Sequence, residues 1–145
     1  MNKAPTPSLM TRRLQALMAV YCAASLAHFI HNAEFIAVYP NLPGWLAREG
    51  VYLAWLAVTS VGAAGLIAAR LGFEALGLLF VGAYGALGLD GLAHYTLALC
   101  SEHTFATQAT IWFEAASGLV LMLASALLLG RTLAGRRGRP PAVAA

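Results

Sequence analysis

The chain has 145 residues, of which 60% are hydrophobic and only 10% charged, with a mean hydropathy of +0.72. Soluble domains carry roughly 25% charged residues, so this chain lacks the hydrated groups needed to cover a water-facing surface. Its solvent is lipid. The net charge of +3 does not point to nucleic acid, because the basic residues sit at the chain ends and one short turn rather than on a folded face.

A bilayer core about 30 Å thick is crossed by about 20 helical residues, so the length accommodates four spans. The apolar stretches are continuous rather than alternating, which excludes a transmembrane barrel. The expected fold is therefore an all-α integral membrane four-helix bundle over residues 14–130, between tails 1–13 and 131–145 that are expected to be disordered.

The first span is predicted from Leu14 to Val38. It is too long for a cleaved secretory signal and has no small-residue cleavage site ahead of its histidines. Pro40, Pro43 and Gly44 then force a turn. The second span runs from Val51 to Ala69, the tight connection Arg70 to Glu74 makes a hairpin, and the third runs from Ala75 to Cys100. After a short turn at Ser101 to Thr104, with Thr104 as helix cap, the fourth runs from Phe105 to Leu129. Cys22 and Cys100 are too far apart for a metal-thiolate motif. Threading these spans puts eight of the nine Lys and Arg residues on one side and only Arg48 on the other. Both termini are therefore expected in the cytoplasm, in a multi-pass protein of the cell membrane.

Ionisable residues inside a span are costly and usually mark function. Span one carries His28, His31 and Glu34, span three Asp90 and His94, and span four Glu114, with His103 just outside it. At a helix rise of about 1.5 Å per residue, counted from the turn at Pro40, from Cys100 and from Phe105, His31, Asp90 and Glu114 lie about 13–15 Å in, and Glu34 and His94 about 9 Å. Three helices thus converge on one layer in the outer half of the membrane. At 100° per residue His28 and His31 share a face, as do Asp90 and His94. His103, Thr107, Thr110 and Glu114 form one polar stripe. The expected result is an outward-facing polar pocket. Gly82, Gly85, Gly88 and Gly91 recur every third residue, so span three can approach a neighbouring helix closely, including that of a second copy.

The segment Phe29-Ile30-His31-Asn32-Ala33-Glu34-Phe35 resembles the HXXEE-domain proteins, small multi-span membrane proteins. His31 and Glu34 match the motif, and Phe35 stands where the family has its last acid. Asp90-Gly91-Leu92-Ala93-His94 resembles that family's later histidine segment. The resemblance implies the architecture and a His/Glu site but no reaction.

Imidazoles and carboxylates suit a divalent metal such as zinc, iron or manganese, with His31, Glu34, Asp90 and His94 as ligands. Glu114 would then act as acid or base on an apolar or lipid-like substrate. His28 and His103 are candidates for contacting a cofactor such as heme. The alternatives are a metal-free pocket that binds a small molecule, ion or proton, and a pigment-binding accessory subunit. Against a through-path, the inner half of each span offers only Cys22, Thr59, Ser60 and small residues besides apolar ones.

Overall fold

The computed structural model describes residues 10–137, and among these it is all helical. Helix α1 (Arg12–Glu34) begins where Thr11 accepts a hydrogen bond from the Leu14 amide at 3.2 Å. A 3-10 turn (Ile36–Val38) and a loop lead to α2 (Arg48–Arg70). Gly72, at φ +89°, makes the sharp turn into α3 (Glu74–Leu87). The chain continues through a 3-10 segment (Gly88–Ala93) into the short α4 (His94–Leu97), then enters α5 (Phe105–Arg137). Thr104 caps α5 as expected, accepting from the Thr107 amide at 3.1 Å. The expected tails lie largely outside the described residues, and the last helix carries on to Arg137.

Four helical stretches, Arg12–Glu34, Arg48–Arg70, Glu74–Leu97 and Phe105–Ala134, are long and apolar enough to cross a membrane. Leu53, Leu56, Ile67, Leu79, Leu123 and Leu127 point outward and are exposed, the reverse of what a water-soluble bundle tolerates. The inward residues follow three-and-four spacing. On α1 they are Leu14, Met18, Tyr21, Ser25, His28 and Asn32, and on α5 Thr107, Ile111, Glu114, Gly118, Leu121 and Ser125. This period of 3.5 keeps one seam facing the bundle axis.

Lipid gives apolar side chains no reason to leave it, so helices in a membrane associate through close packing. Here glycine provides it. A methyl group added at Gly85 would lie 2.6 Å from the Gly118 carbonyl oxygen, and one at Gly118 would lie 2.5 Å from that of Gly85, so α3 and α5 touch backbone to backbone. Gly65 and Gly77 do the same for α2 and α3, at 3.0 and 2.8 Å. The glycines of the third span at 77, 85, 88 and 91 are thus occupied within the chain.

Two expected spans end differently. α1 stops at Glu34 rather than Val38, and the chain folds back so that Tyr39 is buried. The third span leaves the α-helix at Leu87 and continues at 3-10 pitch. With three residues per turn, Gly88, Gly91 and His94 line up on one side, whereas Asp90 and His94 diverge by about 120°. The shared helical face expected from 100° per residue is lost, Asp90 being exposed and His94 half-buried, although both still border one cavity.

Gly85→Ala and Gly118→Ala are each expected to destabilise the bundle by about 1–3 kcal/mol, since a methyl would press on backbone. Gly130→Ala, whose surroundings are open, should be neutral or slightly stabilising. Unfolding of the purified protein in mixed micelles, titrated with sodium dodecyl sulfate, measures the differences.

Candidate functional site

The polar seam of α1 meets the polar stripe of α5 at His28 and Glu114, 3% and 2% exposed, with His28 Nε2 and Glu114 Oε2 3.7 Å apart. His28 Nδ1 lies 3.3 Å from the Thr110 hydroxyl, and that hydroxyl donates its one proton to the Thr107 carbonyl at 3.0 Å. Thr110 can therefore only accept from His28, which puts the imidazole proton on Nδ1. Nε2 is left as a lone pair facing Glu114. Glu114 Oε2 is buried with no hydrogen-bond partner. A carboxylate so placed is protonated, or it shares charge with His28.

Gly91 opens the space above this pair, since a methyl there would lie 3.2 Å from Glu114 Oε2 and 3.8 Å from His28 Nε2. A cavity of about 270 Å³ follows, between α1, α2 and the third span. Its polar wall consists of His28, Asn32, Asp90, His94 and Glu114, and its apolar wall includes Phe29, Val51, Val58 and Leu87. Asn32 Nδ2 lies 3.5 Å from His94 Nε2, and the His28 and His94 rings stand 5.4 Å apart. Apolar walls with a few converging polar groups are the usual form of a small-molecule site.

Of the expected site residues, His28, Asp90, His94 and Glu114 line this cavity. His31 turns to Tyr39, sharing a 2.8 Å hydrogen bond between its Nδ1 and the phenol oxygen. Glu34 turns to α2, accepting from the Tyr52 hydroxyl at 2.7 Å and pairing with Arg48 at 2.8 Å. Among the described residues no group of three or more His, Cys, Asp or Glu is placed to hold a metal ion. His103 is 6% exposed, with both ring nitrogens unpartnered, and packs edge-on at 5.4 Å against Tyr95 and 6.4 Å against His94.

Asn32, Tyr39 and Thr110 belong to the site without ionising in the usual range. The sequence signal for Asn32 was its place in the series 21, 25, 28, 32. Tyr39 is 4% exposed, its ring 4.9 Å from that of His94. No protein-family model matches the chain, and no curated protein or solved structure matches it.

Burial pushes the Tyr39 phenol up to about 12, with the Thr110 and Thr107 hydroxyls pulling part of the way back. In the unfolded chain a tyrosine releases its proton near pH 10, while the folded protein retains it. Stability is therefore expected to fall as pH rises from about 10 toward 12, and less steeply in Tyr39→Phe. Denaturation midpoints across that range measure it, alongside the ultraviolet phenolate absorbance that Tyr39→Phe removes.

Proposed function

We propose that this is a multi-pass membrane protein that binds a small, largely apolar molecule in the outer half of the bilayer and exchanges a proton with it through Glu114 and His28. The observation that carries this reading is the buried Glu114 oxygen, unpartnered and 3.7 Å from the bare nitrogen of His28, at the wall of a cavity that is otherwise mostly apolar. A ligand that partitions into lipid reaches such a cavity without crossing water. Its one hydrogen-bonding group meets Glu114, and His94 and Asn32 orient it.

The orientation rests on the basic residues. Among the described residues, the end carrying the 35–47 and 98–104 loops has Arg48 alone, already paired with Glu34, whereas Arg12, Arg13, Arg70 and Arg131 lie toward the other end. Both termini then face the cytoplasm. Cys100 is exposed at the loop end and Cys22 is half-buried within α1. A membrane-impermeant maleimide applied to intact cells should label the wild type, and Cys100→Ser should abolish the labelling. Labelling that requires broken cells would reverse the assignment.

The residues expected to ligate a metal do not fit one, since Glu34 and His31 are engaged elsewhere. No step is routed through a metal. With 2-naphthol as probe, saturable binding to the purified protein is expected, weakened about tenfold, or ~1.4 kcal/mol, in Glu114→Gln and in the cavity-filling Ala54→Phe. An infrared carboxyl band present in the wild type should vanish in Glu114→Gln. Non-saturable partitioning common to all three proteins would sink the reading. Stoichiometric zinc, iron or manganese that is lost in His28→Ala would replace it with a metalloprotein.

A further inference from the structure

A second cavity, of about 360 Å³, lies between α1 and α2 on the terminal side of the first, with Gln15, Cys22, Thr59, Arg70 and Tyr84 in its wall. The two cavities are neighbours. Val58 and Leu87 line the first, and Thr59 and Tyr84 line the second. Between them the interior holds more polar groups than the Cys22, Thr59, Ser60 and small residues expected of the inner half. Tyr21, Ser25 and His28 follow one another on the inward seam of α1, spanning about 10 Å of helix. The Tyr21 and Tyr84 rings meet edge-on at 4.5 Å. The Tyr21 hydroxyl is lodged against Gly88, 3.0 Å from where a methyl would stand.

Five oxygens along this column, on Glu114, Ser25, Tyr21, Tyr84 and Thr59, are buried and have no hydrogen-bond partner in the protein. Leaving such a group unsatisfied destabilises the folded state. Buried polar groups arranged in this way are normally satisfied by internal water. A column of five, ending at a cavity on each side, is the arrangement that a water thread requires.

We infer that a proton path crosses the bundle, running from Glu114 and His28 through Ser25, Tyr21 and Tyr84 to Thr59 and the second cavity, and leaving beside Arg70. Each water or hydroxyl accepts a proton on a lone pair and releases its own proton to the next oxygen. One proton enters at one face, one leaves at the other, and every hydroxyl is restored. The groups facing Glu114 that hold or steer the proton are His28 from α1 and Asp90 and His94 from the third span; α2 contributes none. Arg70 sets a fixed positive charge at the far mouth, which disfavours hydrated metal cations. The inference rests on the preceding reading only in needing Glu114 to gain and lose a proton.

Proteoliposomes that hold a pH-sensitive dye, with potassium and valinomycin supplying the driving potential, test it. The wild type should acidify or alkalinise the lumen faster than protein-free vesicles. Tyr84→Phe and Ser25→Ala should each slow the flux about tenfold, the equivalent of one lost hydrogen bond. Tyr84→Phe keeps the ring and its edge-on contact, and it leaves the first cavity untouched, so its 2-naphthol binding should match the wild type. Wild-type flux equal to that of empty vesicles, or flux unchanged in both variants, overturns the path. If 2-naphthol binding survives that result, the pocket stands without the path; if it is lost as well, both fall.

Discussion

Everything inside this bundle depends on how closely the third span approaches its neighbours. Backbone contact at Gly65 and Gly77 on one side, and at Gly85 and Gly118 on the other, leaves the interface no room for ordinary side chains. Those that do enter occupy notches: Tyr84 lies against Gly62 and Tyr21 against Gly88. In a bilayer, a solvent as apolar as leucine, such contacts and the polar groups they enclose would hold helices together, not hydrophobic burial. The same geometry turns the polar seam of α1 toward the axis. Packing and site are therefore one feature.

The resemblance-bearing pair His31 and Glu34 sits where α1 ends, and its two members pull in different directions. His31 holds Tyr39 and Glu34 holds Arg48 and Tyr52, so both fasten the α1–α2 connection. A third tie, the Asn41 side-chain amide donating to the Leu97 carbonyl at 2.8 Å, fixes the same loop to the third span. With Tyr39 so held, its ring comes to rest against His94 and closes one side of the polar cluster. Spacing of three on a helix brings two side chains near one another; at a helix terminus it leaves each free to serve the loop instead.

The exposed apolar surface, the four helices long and apolar enough to cross a membrane, the Thr104 cap and the inward stripe from His103 to Glu114 were legible because each follows from composition or from regular helical period. That Asp90 reaches the cavity from an exposed position was not legible, because a change of pitch at Gly88 leaves no trace in residue type. Glycine is equally at home in a membrane helix and in a 3-10 turn. Glu34 was misplaced because its partners, Arg48 and Tyr52, come close only after a loop whose path the sequence does not specify. The buried hydroxyls escaped notice for a different reason. Tyr21 and Tyr84 count as aromatic in any hydropathy sum, and their polarity matters only once both rings are enclosed and their oxygens have no water from bulk.

The hydrogen-bond order at His28 also gives the site a direction. Thr107 gives the Thr110 hydroxyl a carbonyl to donate to, Thr110 thereby accepts from Nδ1, and Nε2 is left bare toward Glu114. If Thr110 were alanine, neither ring nitrogen would be assigned, and the imidazole could present a proton to the carboxyl as readily as a lone pair. Two donors facing each other would hold Glu114 ionised or push the ring away; a lone pair facing a protonated carboxyl is placed to accept its proton. A threonine that never titrates thus decides which partner of the pair accepts. The choice is made by a backbone carbonyl one turn away on the same helix.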